Sequence, residues 1–393
     1  MALPLHTRCE ATGNLPSLPL KVLSLGEMLE GQYPLDRTLI DLRENADLVD
    51  LTALASLGVA AVLLMIDPGN APLPSLYAVR NPAVIAPGDV IRVRDNGQIN
   101  VLFRRAANAN AVFTTERCNS RCLMCSQPPR EIDDTWRVRE ILDLLPLIDR
   151  DLQFLGFTGG EPTLLGSGLC EILSAASTDL PSTRFHVLTN GRTFQDSDYA
   201  AQFGNVSGRV TWGVPLYADV AALHDYVVQA PGAFAETIDG IYNLGELGHR
   251  IEIRCVVHAQ TLPRLQKLGE FIYRNMPFVS HVALMGLEPM GFAKGNRDLL
   301  WVDPADYKEI VQDTAERLQQ SGMNVSLYNM PLCTLDRWAW PLARQSISDW
   351  KNNYAPECEA CEVRGSCAGF FQSTDATWRS RNLSPIRPTE VAV

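Results

Sequence analysis

Three cysteines fall within eight residues: Cys118-Asn119-Ser120-Arg121-Cys122-Leu123-Met124-Cys125. The spacing C-x3-C-x2-C lets one loop close round three corners of a [4Fe–4S] cube, and no fourth cysteine lies nearby to complete an all-cysteine set. One iron would then be open to exchange ligands, the property that separates catalytic metal sites from structural ones. Spacing alone leaves two plainer readings open. A zinc knuckle wants four ligands, often in C-x2-C pairs near a histidine, and the nearest histidine is His186. Three buried free cysteines would need no metal at all.

The chain has 393 residues, with 46% hydrophobic and 20% charged, which suits two or three globular domains rather than disorder. A formal charge of −11 argues against a nucleic-acid partner, which would call for a basic stripe. The opening residues lack the pattern of a signal peptide, and the most apolar stretch, Leu51 to Ile66, is interrupted by Thr52, Ser56 and Gly58. The expectation is a cytoplasmic protein with no membrane partner. Ten cysteines in a reducing compartment point to metal or catalysis before disulfides, and seven of them form two groups.

Residues 1–108 read as a small mixed α/β domain without a chemical motif. Leu5 to Leu20 looks loop-like, and Ala60–Ile66 reads as a buried strand. Val90–Arg94 and Gln98–Arg104 flank Asn96-Gly97, a hairpin signal. From Ala111 the pattern becomes strand, loop, helix, repeated. Strands are expected at Ala111–Thr115, Leu152–Thr158, Arg184–Leu188, Val210–Val214, Ile251–Val257 and Val279–Leu284. Helices are expected at Trp136–Ile148, Leu169–Ser177, Asp196–Phe203, Phe234–Leu247, Leu265–Asn275 and Pro304–Gln320. Such alternation builds parallel βαβ units and a closed or partly closed barrel, whose active sites gather at the C-terminal ends of the strands. The cysteine loop, Gly159-Gly160-Glu161-Pro162 and Thr189-Asn190-Gly191 all follow strands in this way.

Cysteine spacing and strand-end motifs together resemble the radical S-adenosylmethionine (SAM) enzymes. The resemblance implies a partial (β/α)6 TIM-like barrel over 109–322, with a [4Fe–4S] cluster on Cys118, Cys122 and Cys125. It further implies that SAM chelates the open iron and is cleaved reductively to a 5′-deoxyadenosyl radical that abstracts hydrogen. Gly159, Gly160, Glu161 and Pro162 resemble the loop whose carbonyls meet the SAM ammonium, with Glu161 fixing the loop. Thr189, Asn190 and Pro215-Leu216-Tyr217 correspond to strand ends that contact ribose and methionine. Met124 stands where an aromatic residue commonly lies against the adenine, and Gly286-Leu287-Glu288 resembles the motif that packs it. Glu252, Arg254 and Val256 share one strand face. On that face Arg254 could reach SAM with a forked contact, or could pair with Glu252 or Glu288. Tyr217, His224, Asp225 and Glu288 are the candidates for facing substrate as catalytic residues.

Met323–Asn329 reads as another strand, and Cys333, Cys358, Cys361 and Cys367 follow. Four thiolates suit a full [4Fe–4S] cluster or tetrahedral zinc. Downstream of such a barrel, region 323–393 looks like a shortened auxiliary-cluster domain of SPASM or twitch type, which favours iron–sulfur. The flanks Ser126-Gln127-Pro128-Pro129, Thr163-Leu164-Leu165, Leu188 to Arg192, Ala283 to Glu288 and Ser346 to Asn352 resemble the C-type radical SAM maturase of His-Xaa-Ser systems. That resemblance implies a ribosomally made precursor peptide as substrate, a paired radical SAM maturase and a small accessory protein as partners, and a flavodoxin or ferredoxin as electron donor. Two rival readings remain. One is a radical SAM enzyme acting on RNA or a small metabolite; the other is a non-catalytic zinc or iron–sulfur subunit of a maturase complex.

Overall fold

The structure, a computed structural model, describes residues 4–346 and 353–387. It divides into two compact units. The first takes the described residues up to Val112 with Thr135–Leu155 and Glu171–Thr183. The second takes Phe113–Asp134, Gly156–Cys170 and the described residues from Arg184 onward.

The first unit holds strands β1 (His6–Arg8), β2 (Glu10–Thr12), β3 (Leu20–Leu23), β4 (Thr38–Asp41), β5 (Ala61–Leu63), β6 (Ser75–Tyr77), β7 (Val90–Val93) and β8 (Gln98–Phe103), with short helices α1 (Leu25–Leu29) and α2 (Leu51–Ser56). Their order is β1-β8-β7-β3-β4-β5-β6-β2. The expected hairpin forms: β7 and β8 pair antiparallel across Asn96-Gly97, with Ile99, Val101 and Phe103 buried. The loop expected from Leu5 to Leu20 instead supplies both edges of the sheet. β1 pairs with β8 and β2 with β6, so one segment bent at Cys9 covers two edges that would otherwise stay unpaired. Three residues per strand are too few for alternation to show in the sequence.

Segment Thr135–Leu155, with helix α3 (Trp136–Leu144), belongs to this unit through a polar anchor. Lys21, fully buried, donates to Gly88 O at 2.7 Å and pairs with Asp149 at 2.7 Å. Arg105 and the Tyr33 hydroxyl reach the same carboxylate. Burial disfavours the Asp149 charge, but bonds from Arg105, Lys21 and Tyr33 outweigh it and hold the pKa at about 2.

The second sheet runs in sequence order: β9 (Asn110–Phe113), β10 (Phe154–Thr158), β11 (Arg184–Leu188), β12 (Val210–Pro215), β13 (Arg250–Val257), β14 (His281–Gly286), β15 (Val325–Tyr328) and β16 (Ala343–Arg344). Neighbours from β11 to β16 are parallel. Between the strands come α4 (Ser167–Asp179), α5 (Ser197–Ala201), α6 (Ala221–Val228), α7 (Ala233–Glu246), α8 (Leu265–Asn275), α9 (Phe292–Gly295), α10 (Arg297–Leu300) and α11 (Pro304–Gln320). This is a curled parallel sheet, the partial TIM-like barrel expected, extended past its six strands by β15 and β16. Buried side chains such as Phe157, Val187, Trp212, Ile253 and Leu284 explain why its strands read as apolar runs. Leu265, Leu268, Gly269 and Ile272 give α8 one buried stripe, and the Gly269 Cα faces Thr314 of α11 too closely for a larger residue. Beyond β15 the described chain consists mainly of short turns, with one bridge between Asn353 and Phe370. The Ile347 to Asn352 part of the quoted motif lies outside the described residues.

Candidate metal and cofactor site

The cysteine loop leaves β9 and is fixed first by the loop after β10. Thr114 donates its N–H to Thr158 O at 2.7 Å. Gly160 N then donates to Thr115 O at 2.6 Å, and Glu161 N to Arg117 O at 2.8 Å. These backbones approach too closely for side chains. A Cβ on Gly160 would stand 2.1 Å from Arg117 O, and one on Gly159, whose φ is +148°, would stand 2.5 Å from Thr115 O. The Gly-Gly pair is therefore required by loop-against-loop packing. On the other side, Asp134 accepts from Thr115 Oγ1 at 2.9 Å and from Glu116 N at 2.6 Å.

Glu161 ties together the ends of β10 and β11. Only 1% exposed, its carboxylate accepts from Thr163 N (3.0 Å), Thr163 Oγ1 (2.7 Å), Thr189 Oγ1 (2.6 Å) and Asn190 N (2.6 Å). Burial raises its pKa above the usual carboxylate value, and the four donors oppose that rise. Pro162 follows at the start of a short 3-10 turn.

Four further anchors surround Cys118–Cys125, and sequence reasoning gave none of them a part in holding this loop. Asn190 Nδ2 donates to Asn119 Oδ1 at 2.6 Å. Arg192, paired with Glu236 at 2.5 Å, donates to Asn119 O and to Ser120 Oγ. Arg121 N and Leu123 N donate to Val228 O and Val227 O at the end of α6. Asn296 Nδ2 donates to Leu123 O at 2.8 Å, and Phe292 N to Cys125 O at 2.8 Å. Gly291 makes that last approach possible, since its Cβ would stand 2.3 Å from Cys125 O. Sequence spacing could not reveal these contacts, because the partners come from the loop after β11, the end of α6 and the segment from Phe292 to Asn296, all far from the cysteines in the chain.

The three thiols share one partly buried space. Burial pushes Cys118 up to about 12 and Cys122 and Cys125 upward too; at Cys118 and Cys122 the neighbouring cysteines add to the rise. Among the described residues no three His, Cys, Asp or Glu side chains close to the spacing that one metal ion requires. A [4Fe–4S] cube takes each thiolate on a separate iron, so its ligands need not converge on a point. Three thiols in a clamped loop, with no fourth cysteine beside them, fit that group better than they fit a structural zinc ion, which takes four ligands.

Met124 and Tyr217 are buried in one apolar cluster with Val227 and Val228, and Cys122, Val256 and Leu287 pack against it. Gly286 closes β14 beside Asn329, and Glu288 is half-buried just beyond. His224 is buried, and its Nδ1 accepts the Tyr217 N–H at 3.3 Å; burial lowers its pKa to about 4, so it is neutral. Asp225 faces the start of α7, accepting from Gly232 N and Phe234 N at 2.7 Å each, and so caps that helix. Arg254 takes the ion-pair alternative, with Nη1 2.6 Å from Glu252 Oε1. Glu252 also accepts from His281 Nδ1 at 2.8 Å and lies 3.5 Å from His186 Nε2. Burial works against the Glu252 charge, but His281 and Arg254 outweigh it and hold the pKa at about 2. Val256, two residues further along the same face, reaches the Met124 cluster, so Arg254 sits one pleat below the cysteine loop.

The second cysteine group is brought together. Cys333, Cys358, Cys361 and Cys367 line one cavity of about 320 Å³. Backbone donors point at its sulfurs: Leu332 N lies 3.4 Å from Cys367 Sγ, and Ile386 N lies 3.5 Å from Cys361 Sγ. Burial pushes Cys333 up to about 11, and the other three thiols add to that.

Residues 112–272 match the family model described as the radical SAM superfamily. The AdoMet-dependent heme synthase of Nitratidesulfovibrio vulgaris is 25% identical over 202 residues, which is 50% of this chain and 52% of that protein. The chain thus spans about half the length of the curated relative it matches. Among solved structures, SuiB of Streptococcus suis is 17% identical with a TM-score of 0.47, over 61% of this chain and 52% of that one. The AdoMet-bound structure of anSMEcpe is 16% identical with a TM-score of 0.45, over 56% of this chain and 63% of that one. Residues 112–272, which carry the strand ends that hold the cysteine loop, are thus similar to the radical SAM superfamily, a class that implies a [4Fe–4S] cluster and SAM.

Proposed function

We propose that the chain is a radical SAM peptide maturase, of the kind found in His-Xaa-Ser systems, acting on a ribosomally made precursor peptide. The observation that carries the reading is the clamped loop: three thiols held at the strand ends by backbone contacts that exclude a side chain at Gly160. When bound, the cluster would supply one-electron reduction to the site. Cys118, Cys122 and Cys125 would hold it, leaving one iron for SAM. Met124 and Leu287 provide an apolar wall for a planar base. Gly159, Gly160, Thr189 and Asn190 are the proposed polar contacts of SAM, and Arg254, whose Nη1 is taken by Glu252, would reach SAM only with its remaining N–H groups. Tyr217, buried with its hydroxyl held protonated by burial, is the candidate for a neutral donor beside the substrate; His224 and Glu288 would position groups around it.

Cys333, Cys358, Cys361 and Cys367 are proposed to hold an auxiliary [4Fe–4S] cluster; N–H donors to the sulfurs are one of the means by which proteins tune such clusters. The motif resemblance over Ser126 to Pro129 and Thr163 to Leu165 supports the peptide substrate, the paired maturase and the accessory protein as partners.

Anaerobically reconstituted protein given dithionite and SAM should form 5′-deoxyadenosine, and Cys122→Ala should abolish it. Absence of that product from iron-loaded wild type would end the reading. Adding the precursor peptide, with and without the paired maturase, should give a mass change in the peptide. Likeness to the heme synthase favours a second reading, a small-metabolite substrate; an unmodified peptide together with active SAM cleavage would select it.

A further inference from the structure

A second cleft lies beside the auxiliary cysteines, at the C-terminal ends of β14 and β15. It is open to solvent, and five aromatic residues line it: Trp301, Tyr307, Phe370, Phe371 and Trp378. Among the described residues, none that lines it is charged. Three polar side chains of the lining direct their donors to other protein groups. Thr334 Oγ1 donates to Pro331 O at 2.7 Å, Ser380 Oγ to Asp303 Oδ1 at 2.6 Å, and Asn329 Nδ2 to Gly286 O at 3.1 Å.

The rings are held in advance. Trp301 and Trp378 meet edge to face with centroids 5.3 Å apart, Arg297 stacks 5.4 Å from the Trp378 ring, and Arg379 lies 5.7 Å from the Phe370 ring. Fixed aromatic walls bind planar apolar groups at little cost in side-chain ordering. The cleft is also continuous with the chemistry on both sides. Gly286 and Leu287 line it at the strand end, while Pro331, Gly369, Phe370 and Leu383 line both this cleft and the cavity of the four cysteines.

We infer that this cleft is a substrate subsite that takes an uncharged aromatic side chain of a peptide, holding it between the β14 strand end and the auxiliary cysteines. The assignment of the ring to a peptide rests on the maturase reading; the selectivity of the cleft for an aromatic group rests on its own walls.

The test is a binding measurement on the full reconstituted chain without turnover, using N-acetylphenylalanine amide and N-acetylleucine amide as probes in ligand-observed NMR. The aromatic amide should bind saturably and the leucine amide at least about fivefold more weakly, a difference of about 1 kcal/mol. Thr374→Trp, which fills the half-exposed rim, should weaken the aromatic amide at least about tenfold. Leu383→Trp, filling from another lining position, should do the same if the first variant melts below wild type. Lack of saturable binding, equal binding of the two amides, or undiminished binding to both filled variants would overturn the inference. Wild type that cleaves SAM but binds neither amide would sink the subsite alone; wild type that binds the aromatic amide but never cleaves SAM would sink the radical SAM reading alone.

Discussion

Glu161 offers the sharpest single perturbation, because its partners are all accounted for. Truncation in Glu161→Ala removes the acceptor from the backbone N–H groups of Thr163 and Asn190 in a site closed to water. Thr163 Oγ1 suffers less, since it also meets Thr193 Oγ1 at 2.7 Å; Thr189 Oγ1 keeps the N–H of Gly191, but its own O–H loses its acceptor. Each orphaned buried donor costs about 1–3 kcal/mol, so the two backbone N–H groups alone give about 2–6 kcal/mol. Glu161→Gln preserves shape and one oxygen. Oriented to serve Thr163 and Thr189, its amide nitrogen would confront the Asn190 N–H, leaving one donor unpaired and a loss of about 1–3 kcal/mol. Urea unfolding of the full chain, prepared anaerobically without cluster, should rank wild type above Gln and Gln above Ala, with equal denaturant slopes. SAM cleavage after reconstitution should fall in the same order, because Asn190 is also the residue that holds Asn119 in the cysteine loop. If Glu161→Ala unfolds within 1 kcal/mol of wild type and cleaves SAM normally, the strut argument is wrong.

Gly160→Ala places a methyl group 2.1 Å from Arg117 O, a backbone atom that cannot swing aside. Iron bound at the first cysteine group should drop well below wild type in iron analysis, and full iron content would contradict the packing argument. Arg192→Lys keeps the charge but loses the fork that spans Glu236, Asn119 O and Ser120 Oγ; a loss of about 1.5–3 kcal/mol for a charged bond should appear as a lower unfolding midpoint that Arg192→Ala does not greatly exceed. His249 and His258 are held by burial to about 4 and about 3, and their Nδ1 atoms accept from Trp212 Nε1 and Gln260 N. The unfolded state therefore binds protons first as pH falls below 6.5, so stability should decline from pH 6.5 toward 4, by about 1.4 kcal/mol per pH unit for each histidine. Thermal melts at pH 7.5 and pH 5 that coincide would refute this.

Side-chain periodicity made the second sheet legible. Helix α8 lies at Leu265–Asn275 and α11 at Pro304–Gln320, the bounds expected, because apolar stripes and the Asp303-Pro304 start are local signals. The Gly-Gly loop was legible as a close approach, although its nearest partner is the protein backbone at Thr115 and Arg117. What stayed hidden depends on residues far apart in the chain. Asp225 caps a helix that begins eight residues later, after an intervening turn at Gln229, so no short-range capping pattern marks it. The segment around Cys9 forms two strands only because β8 and β6 leave edges for it.

Glu252 and Arg254 show where alternation stops informing. Strand periodicity puts both on one face, but their pairing depends on which neighbours the parallel register supplies. β13 is in register with β14 so that Glu252 faces His281, and with β12 so that Gly213 lies beside Glu252. A Cβ at Gly213 would stand 3.0 Å from His186 Nε2 and 3.2 Å from Arg254 Cδ, so the missing side chain is what lets the imidazole and the guanidinium share the interior with the carboxylate. Held by His281 and Arg254 and approached by His186, Glu252 remains ionised and keeps Arg254 one pleat beneath the cysteine loop. The position of that cation therefore depends on three strands at once, and a residue that reads as a simple alternation in β13 is set by the absence of a side chain in β12.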